Sequence, residues 1–387
     1  MDRLKTADAV VVGAGIIGTS IAEQLLEREP SWSVVLLEAQ DSPGGGETRW
    51  ATGGVRLQFG TEPNIRLSLI SIPVFERFEE AYGFDPHFRR HGYLFVTTDR
   101  RRLAMMDAEL RTQRELGAPT ERLDAGGMNA LCPALFTGDL LGGNFCAADG
   151  SIEPATLLQG YLAAFRRRGG ILQTRTSVSG LERSGETWLV QTPHGTCETA
   201  CVVLACGPQT HAVAALAQLD VPARPYARQV FVAEAMPEVA PGIPLVVDLD
   251  TGWYVHAQRA ELLLGGTDKD SRPIEGATAD VDWSGFDLVS QAAAHRMPVL
   301  AEARITGAYA GARTLTPDHH AILGPVPSHP GLFLAAGLSG HGIMHSPAVG
   351  ILLAEWITLG EPRTWDARPL MLERFAANGA FDESAVF

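Results

Sequence analysis

Short all-apolar runs alternate with amphipathic stretches along the chain. The run ending Val10-Val11-Val12, the amphipathic stretch after Gly18 and a second run, Val34-Val35-Leu36-Leu37, predict strand, helix and strand over about residues 8–38. Ile65, Leu69, Ile72, Val74, Phe75 and Phe78 recur at near-helical spacing and predict a helix over 63–82. Gly92-Tyr93-Leu94-Phe95-Val96 reads as a strand that opens a different region. A helix over 154–168, a strand over 171–174, a hairpin-like pair around 184–192 and a strand Cys201–Ala205 then return to the first layer. Residues 223–308 read as mostly β with turn-rich breaks, and the apolar run Leu332-Phe333-Leu334-Ala335-Ala336 marks a third return before a helix from about Ile343 past Trp356. No internal repeat and no low-complexity linker interrupts this order. The pattern predicts an α/β domain assembled from residues 1–85, 150–222 and 309–387, with 86–149 and 223–308 forming a second, β-rich domain of antiparallel sheet plus helices.

The first turn carries the sharpest chemical signal. Residues 10–18 read Val-Val-Val-Gly-Ala-Gly-Ile-Ile-Gly, a G-x-G-x-x-G pattern between a strand and a helix. In such a turn Gly13 permits the tight bend, Gly15 lets the backbone approach a pyrophosphate, and Gly18 lets the helix pack against the sheet. The pyrophosphate lies on the N–H groups and positive dipole end of that helix, around Ile16 and Ile17. Glu38, 20 residues beyond Gly18 and next to Ala39, ends the second strand, where a carboxylate accepts hydrogen bonds from the adenosine ribose. The same carboxylate disfavours a 2′-phosphate, and so NADP.

Composition narrows the class. With 387 residues, 45% hydrophobic and 20% charged, the chain has enough apolar residues for a sizeable core. Its net charge of −14 and its short arginine runs, Arg100–Arg102 and Arg166–Arg168, argue against nucleic-acid binding. Cys132, Cys146, Cys197, Cys201 and Cys206 form no C-x-x-C pair, and their odd number suits reduced, buried thiols. Met1–Lys5 followed by an apolar run imitates a leader, but that run is the fingerprint strand and no small-residue cleavage site follows. No stretch matches a membrane span of about 20 apolar residues. The expectation is a cytoplasmic protein without an integral membrane segment.

Four stretches together resemble the D-amino-acid oxidase superfamily of FAD enzymes, in the branch of glycine oxidase, sarcosine oxidase and D-amino-acid dehydrogenases. They are the N-terminal fingerprint, the loop Glu47-Thr48-Arg49-Trp50-Ala51-Thr52-Gly53-Gly54-Val55-Arg56, the segment Ala310-Gly311-Ala312-Arg313-Thr314-Leu315-Thr316-Pro317-Asp318, and Ala336-Gly337-Leu338-Ser339-Gly340-His341-Gly342-Ile343. The resemblance implies a Rossmann-like FAD-binding domain with a second, β-rich substrate domain. It places Arg49, Ala51, Thr52, Gly53 and Gly54 against the cofactor, together with Val178, Ala205, Cys206 and Gly207. It also places Gly337, Ser339, Gly340, Gly342, Ile343 and Met344 there, with the N–H groups of the last helix facing the flavin edge where negative charge collects on reduction.

For substrate, the resemblance points to Arg313, whose planar fork suits a carboxylate, with pairing to Asp318 as the structural alternative. Tyr254 matches a tyrosine of the substrate domain, or fills core at a strand end. Arg56 reaches the active site, a phosphate or a surface partner. His341 lies beside the flavin by resemblance, as a cationic or hydrogen-bonding group. His341 and His345 are spaced i, i+4 but lack a third ligand, so no metal is expected. Gly311 and Ala312 stand where covalent relatives carry a cysteine, so FAD is expected to be non-covalent. Met344 replaces a lysine used by sarcosine-type relatives, which shifts the weight to Arg313.

The implied reaction is oxidation of the C–N bond of an amino acid or related amine. A hydride passes from Cα to flavin N5, the imine hydrolyses to a keto acid, and oxygen or another carrier takes the electrons. Two alternatives stand beside it. One is a 2-hydroxy-acid dehydrogenase with His256, His319 or His320 as base. The other is a flavoprotein subunit of a larger complex or oligomer, with the loops around Gly126–Pro133 as interface.

Overall fold

The computed structural model describes residues 5–239, 242–258, 260–266, 273–376, 379–380 and 383. Residues 1–4 of the leader-like opening, and 240–241, 259 and 267–272 of the β-rich stretch, lie outside them. Among the described residues the fold is mixed α/β, with two sheets of eight strands each.

The first sheet is built around Thr6–Val12, which pairs in parallel with Val34–Leu37 on one side and Gly195–Leu204 on the other. Ile171–Gln173 extends it in parallel at one edge, and Leu332–Ala336 followed by antiparallel Ile322–Pro325 at the other. A sheet covered on both faces needs strands apolar at every position, and Val34–Leu37 is buried throughout. Ala9, Val11 and Leu36 pack with helices Ile16–Arg28, Pro154–Arg167 and Gly342–Leu359, while Val10, Val12, Val35 and Leu37 pack with Trp188, Val190 and Ala214 on the opposite face.

Gly342–Leu359 is apolar and long enough to cross a membrane by composition alone, but it is the central helix of this core. It approaches the first helix so closely that Ser20 Oγ donates to Ser346 O at 2.8 Å. Pro347 removes one helical donor, and the Ser346 hydroxyl supplies the Ile343 carbonyl instead, at 2.9 Å.

The second sheet runs in the order Ile305–Leu315, Arg224–Glu234, Glu261–Gly265, Tyr254–Gln258, Leu245–Asp248, Tyr93–Thr97, Gly142–Cys146, Thr120–Leu123. Most of its pairs are antiparallel, so one face can be packed while the other lines a cavity. Its packed side holds Phe231, Trp253, Val255, Leu264 and Met297. Buried Arg296 ties the sheet to its surroundings by donating to Asp248 at 2.9 Å and to Asp139 at 2.7 Å.

Three boundaries differ from the sequence reading. The helix over 63–82 is two helices, Glu62–Glu76 and Phe78–Tyr82, broken at Arg77, which has neither glycine nor proline to announce the break. The β-rich stretch read as ending at residue 308 continues, as strand Ile305–Leu315. Residues 309–315, assigned above to the cofactor domain, therefore belong to the second sheet, because the pairing with Arg224–Glu234 keeps one register from Val232↔Gly307 to Arg224↔Leu315.

Candidate active site

A cavity of about 520 Å³ runs from the first turn of the chain to the second sheet. At its near end the strand Thr6–Val12 turns at Gly13, whose φ of +104° is left-handed and whose absent Cβ would stand 2.3 Å from the Ala205 carbonyl oxygen. Gly15 caps the first helix without a side-chain acceptor, leaving first-turn N–H groups toward the cavity. Thr48 Oγ1 takes the Ile16 N–H at 3.0 Å. Glu38 ends the second strand as expected, fixed by N–H donors from Ala14 at 3.0 Å and Gln40 at 2.9 Å. A cavity with a glycine cradle, an acid at the ribose position and, at each end, a helix start without a side-chain capping bond from its own N-cap residue fits a dinucleotide.

At the far end the two sheets meet. Gln258 donates to the Thr52 carbonyl at 2.5 Å and ties the loop 47–56 to the second sheet. Trp50 lies on Gly311, where a Cβ would come within 2.6 Å of the tryptophan Cβ, and stacks on Tyr309 with ring centroids 5.8 Å apart. Arg313 lies in the strand Ile305–Leu315, donates from Nε to Ser339 O at 3.2 Å, and packs on the bare Cα of Gly340. Asp318, the structural partner considered for it, pairs with Arg374 at 2.8 Å. Tyr254 opens its strand facing the cavity, its ring laid over Gly265.

Arg56 is buried, which excludes the surface pair. Its guanidinium stacks 3.8 Å from the Phe59 ring centre, donates to the Gln58 carbonyl, and meets His341 Nε2 at 3.3 Å. An arginine only donates, so His341 Nε2 accepts and its proton is on Nδ1. Burial first, and then the Arg56 charge, hold His341 well below the ordinary histidine range. Of the two forms considered for His341, cationic or hydrogen-bonding, this environment favours the second: the imidazole is neutral and the fixed positive charge belongs to Arg56. His345 is likewise kept neutral by burial, at about 3, and its Nε2 meets Ser68 Oγ at 3.1 Å.

A model of the family described as FAD dependent oxidoreductase matches residues 8–356. The chain belongs to this family. Among curated relatives, mouse (Mus musculus) dimethylglycine dehydrogenase is 28% identical over 377 residues, covering 92% of this chain and 43% of the relative. The chain thus spans less than half the length of the curated relatives it matches first. Among solved structures, L-proline dehydrogenase from P. horikoshii is 26% identical with a TM-score of 0.90, covering 97% of this chain and 99% of that one. Glycine oxidase from Geobacillus kaustophilus is 25% identical with a TM-score of 0.84, covering 96% and 99%.

The cofactor of this FAD-dependent oxidoreductase is FAD. Of the residues assigned to it by sequence, Gly18 and Arg49 do not line the cavity. Gly18 serves packing: a Cβ there would stand 1.9 Å from the Gly13 carbonyl oxygen. Arg49 is a correction. In the short helix Glu47–Trp50 neighbouring side chains diverge, so Glu47 and Trp50 turn inward while Arg49 is exposed, 5.2 Å over the Trp50 ring. His256, His319 and His320 also stand outside the cavity lining.

Sequence reasoning missed Glu47, Trp50, Tyr93 and Arg228 as lining residues. Glu47 accepts the Thr314 N–H at 2.6 Å, and burial pushes its carboxyl up to about 7. Its place in the quoted loop was a signal. Arg228 had none, because its orientation depends on strand register.

Proposed function

We propose that this enzyme oxidises the C–N bond of an amino acid or related amine whose carboxylate is held by Arg313. The observation that carries this reading is an arginine facing a dinucleotide-sized cavity, its Nε fixed by Ser339 O beside the start of the Gly342–Leu359 helix. FAD bound in the cavity supplies a two-electron acceptor for the hydride of the substrate Cα.

The chain's own residues bind and orient. Arg313 takes the carboxylate in bidentate fashion, and Tyr254 and Tyr93 line the same cavity from other strands of that sheet. Burial holds the Tyr93 hydroxyl above its ordinary range and so keeps it neutral. Arg56 and the uncapped start of the last helix place positive potential where charge accumulates, with His341 as a neutral hydrogen-bonding intermediary. Amine oxidation needs the neutral amine and a placed C–H, but no strong base. A 2-hydroxy acid needs a base, and the three histidines considered for that task stand away from the cavity.

Names of relatives support the amine reading: dimethylglycine dehydrogenase, L-proline dehydrogenase and glycine oxidase all denote amino-acid substrates. Non-covalent attachment is part of the proposal, since Gly311 and Ala312 offer no nucleophile and burial pushes the Cys206 thiol up to about 12.

The test is anaerobic bleaching of the bound flavin by separate pools of D-amino acids, L-amino acids, N-methyl amino acids and 2-hydroxy acids, with Arg313→Ala beside the wild type. The proposal expects bleaching by an amino-acid pool that Arg313→Ala abolishes. Bleaching by the 2-hydroxy acids alone, or by none of the pools, overturns it.

A further inference from the structure

Arg228 is the cavity-lining cation that the reading above leaves without work. It lies in the strand Arg224–Glu234, directly opposite Gly311 on the neighbouring strand Ile305–Leu315. The next rung on the same face pairs Tyr226 with Arg313, and the previous one pairs Val230 with Tyr309. Arg228 and Arg313 are therefore diagonal neighbours on one sheet face, with Cβ atoms about 7 Å apart. Arg228, Val230, Gly311 and Arg313 all line the cavity, as does Tyr254 from the far side of Glu261–Gly265.

The surroundings of Arg228 are unusual for a half-buried guanidinium. Among the described residues it has neither a hydrogen bond nor an ion pair, whereas buried Arg296 and Arg374 each hold carboxylates. Gly311 opposite it carries no side chain to fill the space, and Trp50 over Gly311 forms an apolar wall beside it. A half-buried cation without an anion retains a desolvation cost that a bound anion relieves. One carboxylate on Arg313 leaves that cost in place.

We propose that the site is built for amines bearing two anionic groups. This rests on the carboxylate role of Arg313 proposed above. Arg313 takes the carboxylate next to the oxidised C–N bond, and Arg228 takes a second carboxylate a few bonds away, so the substrates are dicarboxylic amino acids or N-carboxyalkyl amino acids. Arg228 then determines specificity, because its unpaired charge penalises a substrate that ends in an apolar group.

The experiment titrates oxidised holoenzyme with succinate, glutarate and butyrate at fixed ionic strength, reading the flavin absorbance. The wild type is expected to bind the better dicarboxylate at least about tenfold more tightly than butyrate. Arg228→Met should collapse that ratio toward one, Arg228→Lys should restore part of it, and Arg313→Met should weaken all three ligands. A wild-type ratio near one, or a ratio that survives Arg228→Met, overturns the inference while butyrate binding through Arg313 leaves the amine-oxidase reading standing. Loss of flavin from both Arg228 variants also overturns it, by making Arg228 a cofactor or folding residue. Ligand affinities indifferent to Arg313→Met overturn both.

Discussion

Gly340→Ala separates the position of Arg313 from the stability of the fold. Gly340 has φ of +86°, and a Cβ added there would stand 2.7 Å from Arg313 Nε, 3.2 Å from Cζ and 3.3 Å from Cδ. The left-handed backbone alone costs an alanine about 1–2 kcal/mol. The closest atom is the far part of a long side chain, so the guanidinium gives way rather than the backbone. In moving it loses its Nε–H to Ser339 O, a bond to a charged donor of roughly 1.5–3 kcal/mol. A misplacement of about 1 Å in a substrate clamp lowers turnover on the order of 100-fold.

The matched control is Gly360→Ala, which has φ of +81° and nothing within 4 Å of its Cβ, so it carries the backbone cost alone. Thermal unfolding should show a fall of a few degrees for Gly360→Ala and a larger one for Gly340→Ala, which loses the Arg313 bond as well. Titration with a carboxylate ligand, followed by flavin absorbance, should show loss of affinity for Gly340→Ala only. Wild-type affinity in Gly340→Ala would refute the link between that glycine and the clamp.

Three further outcomes follow from the geometry. Gly13→Ala forces a Cβ to 2.3 Å from the Ala205 carbonyl and should yield protein without bound flavin, read by the visible spectrum; a yellow variant contradicts the cradle. Gly311→Ala pushes Trp50 and its loop off the second sheet, so flavin content after gel filtration should drop, and unchanged content refutes that packing. Glu47 ionises near 7 rather than at 4.5, so its neutral form is favoured by folding. The stability it gives is complete below about 4.5 and is lost as pH rises through about 7, at most about 3 kcal/mol. Denaturant titration of the apoprotein should show Glu47→Gln flattening the decline between those pH values, and parallel curves for variant and wild type would exclude Glu47 as its source.

What the sequence made legible was local. The turn Gly13 to Gly18 and the acid Glu38 depend on contiguous residues and one short crossover, so spacing alone located them. Features set by pairing between distant segments were not legible. Arg228 faces the cavity because it stands opposite Gly311, more than 80 residues later, and a slip of one residue in that register would turn it to the packed side. Which of its two forms His341 takes was not legible either: it is neutral because buried Arg56 lies against it, two cations cannot share a buried site, and the imidazole deprotonates more easily. Arg49 was misplaced because motif membership does not say which way a helical side chain points. The limit drawn at residue 309 failed for a related reason, since strand Ile305–Leu315 carries apolar and small residues on both sides of it.

On the proposed reading an amine is oxidised while Arg313 holds its carboxylate. The most direct measurement offers the bleaching amine as its free carboxylate and as its carboxamide, and compares anaerobic flavin bleaching rates in wild type and Arg313→Ala. Removing one partner of a buried charged pair costs about 2–5 kcal/mol, roughly 30-fold or more. Wild type should prefer the carboxylate by at least that factor, and Arg313→Ala should lose the preference. Equal rates in wild type, or a preference that survives the substitution, would contradict it.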